Sequence, residues 1–484
     1  LLPFLLPIFL LFLATHAALI AGTLALHFTE MPSTGSRLLG EFQQGWSGPQ
    51  LGPWPMLVLL LYAYSLGAGT YTGIEAVSNN VNRLREPRVI TGKWTMFYMA
   101  VSLSAIATGI ILLYLLWQPQ PVPGQTLNAV VFHAILGDSQ FGKLMLLVTL
   151  ALEAGLLCVA ANTGFLAGPG VLANMAIDNW MPNRFRHLST RLVIQNGLFL
   201  FGIFALFILL WCEGKVSLLV VLYSINVFIT FSLTLFGLCV YWARHRSSAS
   251  PYWLWRLFFS FFAFVLTSSM LIITLISKFE AGGWLTVVIT CTVIMIGLLI
   301  KRHYLDFNKK LSELDTQLKQ PIVHPVYPAL IDPHQPTAVI FVGKSLGVAM
   351  HTLLNVLRIF PRHFKNFIFI SAGIVDVESF TGQSALEKMR QDVTENLQYF
   401  VDYCHQYHLA AEAYASFGTD TVEELTKLAE KVGDKYPNCI FFSSKLIFES
   451  DNPIMRFLHN ETPLTLQRNL HLQGKELVIL PMKI

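Results

Sequence analysis

Three glycines within seven residues, Gly67, Gly69 and Gly73, interrupt an apolar run, with Thr70, Tyr71 and Thr72 among them and Glu75 two residues beyond. Glycine at that density weakens a helix. In hydrocarbon the freed backbone must find partners, and this is tolerated where it lines a polar cavity. Carbonyls and hydroxyls exposed at such a break can coordinate a cation, and half-helix ends can face charged groups. Close helix packing through small residues is the structural alternative, but packing alone does not call for the threonines or the acid. Glu75 is costly in a bilayer, roughly 2.5 kcal/mol or more on insertion scales. Two roles are open to it: ligand or proton carrier, or a staple bonded to a neighbouring helix end.

A second intramembrane acid, Glu153, lies in VTLALEAGLLCVAANTG, with Asn162 and Thr163 further along. A proton relay or second polar site, and a purely structural role, are both open to these three. Tyr223, in VVLYSINVFITF, is a polar tip among apolar residues. A buried tyrosine usually finds a hydrogen-bond partner. No nucleophile–base set and no metal-ligand spacing appears, so an enzyme is not expected.

The elements that must position these groups are apolar spans. Hydrophobic residues make up 54% of the 484-residue chain and charged residues 13%, against about 25% charged in soluble domains. Mean hydropathy is +0.54. A spanning helix needs about 20 apolar residues. Windows near 3–27, 56–82, 94–117, 143–169, 192–212, 216–242, 254–277 and 281–300 qualify, which predicts eight spans. Residues 3–27 lack the basic n-region and cleavage site of a signal peptide. The chain starts at Leu1 already apolar, and reads as a fragment whose upstream spans are absent.

The connecting loops alternate in Lys/Arg. One side carries Arg83, Arg85, Arg88, Lys93, Arg184, Arg186, Arg191, Arg244, Arg246, Arg256, Lys301 and Arg302; the other carries Arg37, Lys143, Lys215 and Lys278. The positive-inside rule then puts both ends of the chain in the cytoplasm of an inner-membrane protein. Trp54, Trp94, Trp117, Trp180, Trp211 and Trp242 sit near span ends, as interfacial anchors do. The six cysteines show no CxxC spacing and read as small buried hydrophobes.

After Arg302 the character changes. Residues 303–322 read as a polar juxtamembrane linker with helical spacing, and 323–484 alternate strand-like runs with amphipathic stretches. The runs are TAVIFVG (337–343), FKNFIFISAGIVD (364–376), AAEAYASFG (410–418), CIFFSSKL (439–446) and ELVILP (476–481). Strand–helix alternation predicts a parallel sheet in an α/β sandwich. From residue 303 on there are 17 Lys/Arg and 20 Asp/Glu, so no basic surface invites nucleic acid. The predicted architecture is therefore a polytopic α-helical transmembrane domain (1–302), the linker, and a cytosolic α/β domain (323–484).

At the residues that carry chemistry the sequence resembles the amino acid–polyamine–organocation (APC) superfamily of permeases. The resemblance covers essentially all of residues 1–300. TGIEAVSNN followed by REP (Thr72–Asn80, Arg85–Pro87) resembles that family's sixth helix. AANTGFLAGPGVLANMAIDNWMPNRF (Ala160–Phe185) resembles its eighth helix and the segment after it, and YSINVFITF (Tyr223–Phe231) its tenth. The resemblance implies a LeuT-like inverted-repeat fold in which the first span here is the fifth helix and helices one to four are missing. The wording is most similar to the KimA-like branch of proton-coupled potassium importers, which carry a cytosolic α/β tail. It implies Thr72, Glu75 and Tyr223 as potassium-site residues. The sequence departs from the branch at Ser78–Asn82, which reads SNNVN rather than SNGVP, at Gly170, where a basic residue is usual, and at Asn179, where glycine is usual.

The tail resembles a divergent universal-stress-protein sandwich, which implies a regulatory nucleotide, a cyclic dinucleotide in this branch. Gly343-Lys344-Ser345-Leu346-Gly347 follows a strand and could turn amides toward a phosphate. A plain strand–helix turn is the alternative, and the spacing is not a Walker A. No other cofactor is expected. The expected partners are the lipid bilayer, a small solute or ion, and a second copy through the tail. Three functions follow: proton-coupled potassium uptake, amino acid or polyamine transport on the same scaffold, and a non-transporting membrane sensor.

Overall fold

The computed structural model describes residues 2–47, 52–67, 73, 77–78, 81, 84–245, 252–322, 329–447, 458 and 462–483. The chain divides into two compact units, 1–167 with 204–293, and 168–203 with 294–484.

The first unit is helical. Its elements are α1 (Leu2–Leu26), α2 (Met31–Ser47), α3 (Pro53–Leu66), α4 (Arg88–Trp117), α5 (Leu127–Leu136) and α6, which begins at Gln140 and continues to Ile177. Beyond α7 (Gln195–Trp211), it is completed by α8 (Val216–Arg244) and α9 (Trp253–Lys278). Among the described residues six helices are long and apolar enough to cross a membrane: Leu6–Leu26, Arg88–Trp117, Gln140–Ile177, Leu218–Arg244, Trp253–Lys278 and Trp284–Leu318. Of the two other expected spans, 192–212 contains the shorter apolar helix α7, and the first part of 56–82 falls on α3, its remainder lying mostly outside the described residues. Apolar side chains such as Phe97, Leu147, Phe259 and Ile276 point outward, as they do where lipid is the solvent.

Close approach organises α1 and α4. A Cβ at Gly109 on α4 would collide with Ile20 of α1, whereas one at Gly155 on α6 would make ordinary contact, 3.5 Å from Ile8. Small residues at crossings let helix backbones draw together without help from the hydrophobic effect. Leu19, Leu113, Val131 and Phe132 form the buried apolar cluster beside these crossings. One segment differs from its sequence reading: residues 31–47, expected as a loop, form α2. Leu38, Leu39, Phe42 and Trp46 recur at helical spacing there and override three helix-weakening glycines. Phe42 and Trp46 stack along that face.

The second unit contains a five-stranded parallel sheet of order β3-β2-β1-β4-β5. The strands are β1 (Thr337–Phe341), β2 (Asn366–Ile374), β3 (Ala410–Gly418), β4 (Cys439–Ile447) and β5 (Leu477–Lys483). Period-two alternation divides its side chains between two cores. Ala338, Ile340, Phe367, Phe369 and Phe442 join residues of the helices Leu346–Ile359 and Gln383–Gln406 on one face. Val339, Phe341, Ile368, Ile370 and Phe441 meet those of Thr421–Lys435 and Thr462–Leu472 on the other. Both faces are covered, as a parallel sheet requires.

The stretch read as a linker is not separate from the last span. Helix α10 runs unbroken from Trp284 to Leu318, because no proline or glycine falls between Gly297 and Pro321 to stop it. Buried Tyr304 holds this helix in the second unit: its hydroxyl donates to the Leu458 carbonyl at 2.8 Å and accepts from the Asn183 amide at 3.3 Å. Lys301 stands over the Trp180 ring at 4.1 Å. Asn179 takes φ +62°, a left-handed conformation that asparagine and glycine tolerate best.

Candidate functional site

The glycine-broken segment is described only at its edges. Helix α3 ends at Leu66, just before Gly67, and Gly73 adopts φ +98°, which glycine reaches without the Cβ clash. Gly69, Thr70, Tyr71, Thr72 and Glu75 lie outside the described residues. Tyr223 lies on α8 and is 44% exposed. Asn162 and Thr163 are exposed on α6, and the Thr163 hydroxyl donates to its own helix at Val159 (3.2 Å). They lie nine and ten residues from Glu153, about 14 Å along a helix axis, and do not join it.

Glu153 instead joins three groups that the sequence reading missed. Its Oε1 lies 3.1 Å from Nε2 of His16 on α1 and accepts from the Asn128 side-chain amide on α5 at 3.0 Å. The Asn128 carbonyl oxygen accepts from the Tyr114 hydroxyl on α4. Two other helices thus reach the α6 carboxylate directly, and α4 joins through Asn128. His16 is 1% exposed and its Nδ1 lies 2.9 Å from the Phe12 carbonyl. Its ring packs against Phe12 and edge-on to Phe132. Thr126 caps α5 by accepting from the Ala129 amide, which fixes the first turn that carries Asn128. One signal for this network was in the sequence: His16 is an ionisable side chain within the first apolar run, and such residues are functional candidates by default.

In the second unit, the Gly343–Gly347 turn is where β1 passes into the helix Leu346–Ile359. Its anion is supplied by the chain itself. Asp315 on α10 accepts from the Gly347 amide (2.7 Å) and the Ser345 hydroxyl (2.5 Å), and Ser345 caps the helix by accepting from Val348. A carboxylate at a helix N-terminus satisfies orphan amides and the helix dipole together.

A second contact holds the 183–188 segment to the end of β2. His187 bridges Asp376, and the Val377 amide donates to the Arg186 carbonyl at 3.2 Å. The Arg186 guanidinium donates twice to Asp376 Oδ2, at 2.8 and 2.5 Å, and once to Glu378 at 2.7 Å. Burial works to raise the Asp376 carboxyl, but the Ser379 amide, the Arg186 cation and the hydrogen bonds of Arg186 and Ser379 hold it below the ordinary range. Burial, and then the Arg186 cation, push the His187 ring below its ordinary value.

Apolar spans and a buried polar network describe a multi-pass membrane protein. The family profile for amino acid permeases matches residues 1–303, well over half of the chain, and the protein belongs to that family. Over 261 residues it is 28% identical to the Potassium transporter KimA of Bacillus subtilis (strain 168). That stretch is 54% of this chain and spans 42% of the relative's own length.

Proposed function

We propose that this permease takes up potassium together with protons. The reading rests above all on the similarity to a potassium transporter over 261 residues, a stretch long enough to reach beyond any single motif. Carbonyls freed between Gly67 and Gly73, with Thr72, Glu75 and the Tyr223 hydroxyl, are the proposed ligands. Oxygen atoms are the right donors for a hard alkali cation, and one carboxylate balances its charge in a medium that penalises net charge. On this reading the fold is the LeuT-like repeat of the superfamily, with the Lys/Arg-rich loops and the sheet domain on the cytoplasmic side. The sheet domain is proposed as a regulatory and dimerising tail. The amino acid permease profile over residues 1–303 favours a second reading, in which the half-helix ends at the break hold a substrate carboxylate or ammonium.

The test is growth of potassium-uptake-deficient cells at low potassium, with rubidium and amino-acid uptake measured in the same cells. Expression of the intact protein is expected to restore growth, and Glu75→Gln to abolish it. Amino-acid uptake without potassium rescue would replace the first reading by the second. Wild-type uptake of every substrate by Glu75→Gln would remove Glu75 from the mechanism.

A further inference from the structure

We infer that His16 and Glu153 form a proton-holding site that couples proton movement to transport. The proton-coupled part of this inference rests on the reading above.

The argument is one of donors and acceptors. The Phe12 carbonyl can only accept, so His16 Nδ1, at 2.9 Å, carries a hydrogen. Nε2 then faces Glu153 Oε1 at 3.1 Å. With neutral His16, Nε2 is an acceptor and the carboxyl must be protonated to donate to it. With ionised Glu153, the ring must be an imidazolium. In both states one proton lies between the two groups and the pair is neutral overall. Remove that proton, and two lone pairs face each other across 3.1 Å, with one uncompensated negative charge in an apolar surround. The geometry therefore fits the loaded pair, and unloading must separate the side chains or admit water.

Groups on the surrounding helices support this assignment. From α5, Asn128 donates to the same oxygen and Phe132 covers the ring; from α4, the Tyr114 hydroxyl faces Asn128. Tyr114 is the one further titratable group in the network, and no Lys or Arg joins it among the described residues. An amide has no proton to relay at ordinary pH, so Asn128 and Tyr114 act as positioning residues that hold the carboxylate toward His16. The Glu153 side chain is 20% exposed and His16 1%, so the carboxylate is the less enclosed member of the pair. Gly155, two residues along α6, leaves room for a Cβ 3.5 Å from Ile8 of α1. His16 and Glu153 lie on different helices, so a change in their separation acts on the spacing of α1 and α6 at this point, which is how proton loading would bias a transport conformation.

The intact protein, reconstituted in vesicles with an internal pH indicator and a potassium probe, gives the test. Glu153→Gln keeps a donor for neutral His16 Nε2, and His16→Gln keeps a donor for Glu153. Both variants are expected to retain downhill potassium flux within about threefold and to lose at least about tenfold of the proton movement per potassium. Using both, each checked for monodispersity in detergent, guards against one variant failing to fold. A folded variant with the wild-type proton-to-potassium ratio overturns the inference, because a merely structural hydrogen bond survives these substitutions. Loss of downhill flux along with proton movement in a folded variant overturns it as well, since the pair would then belong to the cation path. If the wild type moves protons with an amino acid and not with potassium, the potassium reading fails alone, and the same ratio is read for the amino acid.

Discussion

Arg186→Ala breaks the contact between the 183–188 segment and the end of β2, and its cost can be worked from the geometry. The change removes two charge-assisted donors from Asp376 Oδ2, at 2.8 and 2.5 Å, and one from exposed Glu378. The Glu378 pair is 63% exposed on its acid side and contributes at most about 1 kcal/mol. The Asp376 pair differs, with side chains 14% and 10% exposed. Removing one partner of such a pair costs about 3–5 kcal/mol, mostly because the other charge stays buried. Asp376 keeps the Ser379 amide and hydroxyl on Oδ1, which places the cost at the low end, about 3 kcal/mol. Since about 1.4 kcal/mol is a factor of ten, the hydrogen-bonded amides of Val377 and Ser379 should exchange with solvent about 150-fold faster. The assay is hydrogen exchange on the intact protein in detergent, for Arg186→Ala, Asp376→Ala and the double variant. A change below about fivefold in Arg186→Ala, or additive effects in the double variant, would refute the claim that these two charges form one buried unit.

The same contact has an acid limit. The Asp376 carboxyl is held below its ordinary value of 3.8, so its stabilisation is fully present above that value and is lost as pH falls through the lower, folded one. Thermal melts of wild type and Arg186→Ala should therefore converge as pH falls below about 4, after a smaller narrowing as His187, which burial and then Arg186 hold down, protonates; a gap at pH 3 equal to that at pH 5 would contradict the assignment. At the β1–helix turn, Asp315→Ala strips the acceptor from Ser345 and the Gly347 amide. A lost cap costs about 1–2 kcal/mol, so exchange at Gly347 should rise about 5- to 30-fold. Asp315→Asn, which keeps an oxygen there, should cost less than half as much; equal effects of Asn and Ala would show that the acceptor is not what holds the turn.

The sequence by itself determined what depends on local composition and period. Runs such as Arg88–Trp117 and Trp253–Lys278 declare themselves because a helix in lipid needs only length and apolarity. TAVIFVG and AAEAYASFG contain β1 and β3 because short runs bounded by turn residues can fill a sheet buried on both faces. The helix over 31–47 was hidden by its glycines and proline, which signal a turn unless an apolar stripe finds a surface to lie on. The last span and the helical spacing after it were both legible, but not that they form one unbroken helix to Leu318, since polarity marks where water begins rather than where a helix stops.

Tertiary structure alone decided the polar contacts. His16 and Glu153 are separated by 137 residues, and Arg186 and Asp376 by 190. Sequence spacing carries no information about pairs that distant. It read Glu153 toward Asn162 and Thr163 on its own helix, whereas the partners came from α1 and α5. The physical reason is that a buried polar atom must be satisfied by whatever group the packing brings within about 3 Å. That group is chosen by where packing, as at Gly109, lets helices cross, and not by neighbours along the chain.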